Sequence, residues 1–175
     1  MAAGTKPRLL RLAAIVNLSA VAVTLLALWL LSPLVAPPDG IANPGARMAF
    51  WARLSIWPAL VLFAAVAGVM AARARSVALN PIDDPESRLH RISQRVLSNT
   101  VEQTLIFLPA LAGLVAQIPL PNLGVAVLAT ALFVLGRVLF WAGYLVHPYA
   151  RAPGMAMTFT VNLVVLAWAI LLALQ

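Results

Sequence analysis

Three polar side chains, Arg95, Asn99 and Glu102, stand four and three residues apart in the stretch RVLSNTVEQT, residues 95–104. At that spacing they share one face of a helix, with Arg91 a turn earlier. The helix leads into an apolar run, where an unpaired charge costs roughly 2.5–3.5 kcal/mol on insertion scales. These side chains therefore face protein or a wet cavity. An Arg95–Glu102 ion pair, or plain interhelical glue, accounts for them as well as a binding role does. A second set lies in GRVLFWAGY, residues 136–144, where Arg137 and Tyr144 are seven apart and again on one face. Arg137 is about ten residues from the loop at His147 and needs an anionic partner. Glu102 is the one acid inside the apolar runs, so Glu102–Arg137 pairing across helices competes with any ligand. One carboxylate cannot neutralise Arg73, Arg95, Arg137 and Arg151 together. The surplus implies an anion supplied from outside the chain.

Other chemistries find little support. Cysteine is absent, which excludes disulfides and a cysteine nucleophile, so any thiol chemistry must use a borrowed thiol. His90 and His147 are solitary, and without cysteines or paired carboxylates no metal site is expected. Ser98 and Thr104 lack a histidine base at useful spacing. Asp83, Asp84 and Glu86 read as a solvated helix start, and the five tryptophans as interfacial anchors or packing residues.

The elements that must carry these residues are membrane helices. The 175-residue chain is 63% hydrophobic and 10% charged, far from the composition of a soluble domain. Five apolar runs, at about 9–35, 47–72, 89–116, 122–146 and 153–174, each approach the ~20 residues needed to span a bilayer. The first is too long for a signal-peptide core and reads as a retained span. Pro37 to Gly40 break the chain after it, and Asn43, Pro44 and Gly45 extend that turn. Asp84 and Pro85 suit the cap and first position of the third helix. Lys6, Arg8, Arg11, Arg73, Arg75, Arg88, Arg91, Arg95 and Arg151 all fall on one side, which the positive-inside rule makes cytoplasmic, leaving the C-terminus opposite. The net charge of +7 is spread between apolar runs, which suits anionic headgroups and topology rather than nucleic acid.

Taken together, RARSVALNP at 73–81, RVLSNTVE at 95–102, GRVLFWAGY and the later RAPG at 151–154 resemble the MAPEG family, the membrane-associated proteins of eicosanoid and glutathione metabolism. The resemblance covers about residues 48–174. It implies an all-α integral membrane protein in which residues 47–175 form a four-helix bundle. Residues 1–46 then supply a tail, one additional transmembrane helix and a loop. It also implies a homotrimer, with glutathione as co-substrate held between neighbouring subunits near the cytoplasmic side. A hydrophobic small molecule would enter from the lipid bilayer. Carried over by position, Arg73, Arg95, Asn99, Glu102, Arg137 and Tyr144 would bind glutathione. Arg151 would hold its thiol as thiolate. Such complementarity is chemically sound, since glutathione brings two carboxylates and one ammonium.

Two positions depart from the family pattern. Gln103 stands where several glutathione-using members carry tyrosine, and Phe140 where an aromatic hydroxyl occurs. The helix proline is displaced to Pro109. The expected function is a glutathione-dependent transferase or peroxidase acting on lipophilic electrophiles or lipid hydroperoxides. The alternative is a non-catalytic lipid-binding or scaffold protein of the same fold. A bacterial inner membrane suits the charge bias and the lack of cysteine.

Overall fold

The computed structural model describes residues 5–76 and 86–175, with side chains from residue 11 onward in the first segment. The side chains of Lys6 and Arg8, and residues 77–85 with Asp83, Asp84, Pro85 and the latter part of RARSVALNP, lie outside the described residues. Five α-helices follow one another: α1 (Thr5–Leu31), α2 (Pro44–Ala74), α3 (Arg88–Gln117), α4 (Gly124–Val146) and α5 (Ala152–Ala173). All five are long and apolar enough to cross a bilayer. The described residues contain no strand, as expected where every backbone group must be satisfied within its own segment.

Two helix starts differ from expectation. Asn43 and Pro44 do not prolong the turn but begin α2: the Asn43 side chain accepts from the Ala46 amide at 2.8 Å, and Pro44 takes the first helical position. The third helix begins later than an Asp84 cap would allow. Ser87 is its cap, accepting from the His90 amide at 3.1 Å. In both cases a short polar side chain satisfies an amide that the helix leaves without a partner. The turn before α2 contains Gly40 at φ 75°, a conformation that other residues adopt at a cost.

Successive helices run in alternate directions, so that the start of α2 meets the end of α3 and the end of α4 turns directly into α5. Helix α2 packs on α3 and α4, α5 packs on α3 and α4, and α1 lies along α5. Glycines set the closest approaches. A Cβ on Gly154 would lie 2.2 Å from the Phe140 amide nitrogen, and one on Gly143 would lie 2.3 Å from the Ala150 carbonyl oxygen. Gly68 in turn receives the Trp141 ring, so α2 meets α4 where a larger residue would hold them apart. At the opposite end Arg47, from the first turn of α2, donates to the Val115 and Ile118 carbonyls at 2.7 and 2.8 Å. It thereby closes the C-terminal end of α3. Trp51 also joins these two helices, donating to the Leu108 carbonyl at 3.0 Å.

Candidate functional site

The α3 stripe, the end of α4 and the start of α5 converge at the end of the bundle where α1, α3 and α5 begin. They line a half-open cavity of about 460 Å³, within the roughly 300–1,000 Å³ usual for small-molecule sites. Helix α3 lines it with Arg95, Ser98, Asn99 and Glu102, and α4 with Phe140 and Tyr144. Helix α5 brings Arg151, its N-terminal flanking residue, with Ala152 and Met155. Helix α1 adds Asn17. Two guanidinium groups face one carboxylate, and the open N-terminus of α5 adds partial positive charge. The electrostatic character is that of an anion site with one acidic corner.

Arg151 and Tyr144 form a unit. The guanidinium donates to the Tyr144 hydroxyl oxygen and lies 4.6 Å from the centroid of the same ring. Tyr144 is fixed in turn by an edge-on contact with Phe140, centroids 5.5 Å apart at 83°. The spacing of seven, which put Arg151 two turns from Tyr144 in sequence, is bridged by the break between α4 and α5. The Gly143–Ala150 contact closes that corner.

Arg137 has a different place. It is only 1% exposed and lies behind the cavity wall rather than on it. Its Nη1 donates to Asn99 Oδ1 at 2.7 Å, while Nε and Nη2 donate to Thr158 Oγ1 at 3.1 and 2.6 Å. Its guanidinium also sits 4.6 Å from the Phe140 ring centroid. The Thr158 hydroxyl donates in turn to the Gly154 carbonyl. Because a guanidinium can only donate, it fixes the Asn99 amide with oxygen inward and nitrogen outward. Asn99 Nδ2 then donates to Glu102 Oε2 at 3.4 Å. Arg137 thus reaches Glu102 through Asn99, and one relay ties α5, α4 and α3 together behind the cavity.

Of the seven residues singled out from sequence, five line this cavity: Arg95, Asn99, Glu102, Tyr144 and Arg151. Arg137 supports Asn99 from behind. Arg73 is exposed in the last turn of α2 and is not among the cavity-lining residues of this chain. The two departures resolve differently. Phe140 does face the cavity, without a hydroxyl. Gln103 points away from it and is 6% exposed between α3 and α5, where Asn162 Nδ2 donates to its Oε1 at 2.8 Å and its backbone oxygen at 3.1 Å. Sequence reasoning missed Thr158, Asn162 and Asn17. Each is a polar residue within an apolar helix, and that isolation was the available signal.

The family model for the MAPEG family matches residues 48–171. The chain belongs to the MAPEG family. It is accordingly an integral membrane protein of the broad glutathione- and eicosanoid-related class. Helix α1, with its Asn17, lies outside the matched MAPEG segment, whereas the α3, α4 and α5 walls lie within it. Comparisons with curated proteins and with solved structures gave no match.

Proposed function

We propose that this MAPEG protein is a glutathione-dependent transferase or peroxidase for lipophilic electrophiles or lipid hydroperoxides. The observation that carries the reading is the juxtaposition of Arg95, Glu102 and Arg151 around one cavity. Glutathione has two carboxylates and one ammonium at neutral pH; Arg95 matches a carboxylate and Glu102 the ammonium in sign, and Arg151 leaves a further cation for the sulfur. Bidentate guanidinium–carboxylate pairing fixes orientation as well as affinity. Glu102, held by Asn99, takes the ammonium. Arg151, steadied on Tyr144, stands near the sulfur.

A cation beside a thiol lowers its pKa from about 8.5 and raises the thiolate fraction at neutral pH. In the transferase reaction the thiol proton leaves to water. The sulfur then forms a bond to the electrophilic carbon, displacing a leaving group or adding across a double bond. The protein has no thiol of its own, so the nucleophile must be borrowed. Exposed apolar side chains on α2 and α5, among them Phe63, Met70, Phe159 and Leu163, suit entry of the second substrate from lipid.

A homotrimer would complete the site, since exposed Arg73 could reach a neighbouring subunit's cavity in place of its own. The orientation with the basic end cytoplasmic follows the distribution of Arg73, Arg75, Arg88, Arg91, Arg95 and Arg151 and suits a cytosolic supply of glutathione. A second reading, a non-catalytic lipid-binding protein of the same fold, is supported by one observation: Phe140 brings no hydroxyl to the cavity wall.

The test is glutathione added to detergent-purified protein. A thiolate ultraviolet band at neutral pH is expected, and its titration should move up toward about 8.5 in Arg151→Ala. Conjugation of a hydrophobic electrophile should fall in parallel. Glutathione binding without a thiolate band, and without turnover across a broad electrophile panel, would favour the non-catalytic reading.

A further inference from the structure

Helix α1 lies outside the matched MAPEG segment, yet it enters the cavity. Its less exposed residues Ala13, Ala20, Val21, Thr24, Ala27 and Leu28 form a stripe, at helical spacing, along which α1 packs on the rest of the bundle. Asn17 falls on that stripe, four residues after Ala13 and three before Ala20. Unlike its neighbours on the stripe it is exposed rather than packed, because at its level the packing opens into the cavity that it lines. The other polar residues of this span spend their hydroxyls on their own helix: Ser19 donates to the Val16 carbonyl and Thr24 to the Ala20 carbonyl. Asn17 presents a carboxamide to the cavity instead.

We propose that Asn17 is a ligand-binding residue which the first helix adds to the glutathione site, recognising a peptide group of the tripeptide. The proposal rests on the glutathione reading above. Once the charged groups of glutathione are assigned to the arginines and Glu102, its two amide groups remain. Each needs a donor and an acceptor, which a carboxamide supplies together. The Asn99 carboxamide is already committed to Arg137 and Glu102. Asn17 is the other carboxamide that lines the cavity. A polar residue in a membrane helix belongs on a wet or protein-lined surface, and this cavity is that surface.

The experiment measures glutathione affinity of the full-length, detergent-purified protein and of Asn17→Leu, with Ser19→Ala as a control on the lipid side of the same helix. The melting temperature of each unliganded protein is recorded. Asn17→Leu should weaken glutathione binding by roughly five- to tenfold, the loss of a hydrogen-bonded amide contact. The unliganded melting temperature should stay at the parent value, and Ser19→Ala should bind as the parent does. Parent-like affinity in Asn17→Leu, whether or not its melting temperature falls, overturns the proposal and leaves the glutathione reading standing. No glutathione binding by the parent protein overturns both.

Discussion

Helices α3, α4 and α5 run the length of the bundle, but their two halves are built on different rules. In the half remote from the cavity, Phe107 and Phe133 stack with centroids 4.3 Å apart, and Leu111, Leu114, Val161 and Val165 close around them with almost no exposure. In the basic half the same three helices carry Asn99, Arg137 and Thr158, joined by hydrogen bonds, beside a smaller apolar cluster around Val96, Phe140 and Tyr144. The first half gains from close apolar packing alone, since lipid tails are as apolar as leucine and supply no hydrophobic drive. The second half must hold a buried guanidinium whose hydrogen-bond partners are neutral. That arrangement costs stability, and it is tolerable where a rigid base fixes the helices and a neighbouring cavity admits an anion. The dry half is the foundation, and the wet half is the site.

Breaking the foundation should give the largest effect on folding. Phe107→Ala removes a stacked ring from the dry half and should cost about 3 kcal/mol, the lower end for a buried phenylalanine, because lipid solvates the exposed surface. Thermal unfolding in detergent should show it as a large drop in melting temperature. Glutathione affinity of the surviving folded protein should be unchanged, since no cavity residue is touched.

Gly154→Ala attacks the seam between the halves. Its new Cβ would lie 2.2 Å from the Phe140 amide nitrogen, so backbone rather than a side chain must give way. A cost of about 2 kcal/mol is expected from such overpacking. Unlike Phe107→Ala it should also weaken glutathione binding, because Arg151 and Phe140 sit on the two backbones forced apart. Loss of stability with binding intact would show that the α4–α5 seam does not position the cavity.

Arg137→Met sharpens the comparison within the wet half. Methionine fills similar space without a charge, and replacing a buried charge by an apolar residue of similar volume is often neutral or stabilising. Stability should therefore hold, while glutathione affinity falls about tenfold because Asn99 loses the charged donor that orients it. A purely structural charge cluster predicts the reverse, with lower stability and unaltered affinity.

The sequence carried the five helices plainly, since long apolar runs between proline- and glycine-rich turns leave little else to build. It also carried the face shared by Arg95, Asn99 and Glu102, because helical spacing alone puts them together. What it could not carry was depth. Arg137 and Tyr144 share a face of α4, yet Tyr144 reaches the cavity at the helix end while Arg137, two turns deeper, is enclosed by Thr158 and Asn99. Nor does spacing say which neighbouring helix meets a face. Asn17 became legible only once α1 was seen to lie along α5, and the cap of α3 falls on Ser87, whose hydroxyl accepts from the His90 amide.

Gln103 makes the same point on the smallest energetic scale. Adjacent to Glu102 in sequence, it looks like a cavity residue that has lost a tyrosine hydroxyl, but one residue rotates a helix by about 100°. That rotation carries it from the cavity to the α3–α5 interface and to Asn162. The Asn162 Oδ1 atom is itself buried without a partner among the described residues, as is Thr104 Oγ1 nearby in α3, so the contact is only partly satisfied. Interhelical bonds of this kind average about 0.6 kcal/mol in membrane bundles. Asn162→Leu should therefore lower the melting temperature only slightly and leave glutathione binding alone. Gln103→Tyr should fail to restore a cavity hydroxyl: its ring would enter a filled interface, reducing stability with no gain in glutathione affinity. A gain in affinity with stability preserved would mean that position 103 can turn toward the ligand, and that the wall between the two halves is softer than the Asn162 contact makes it.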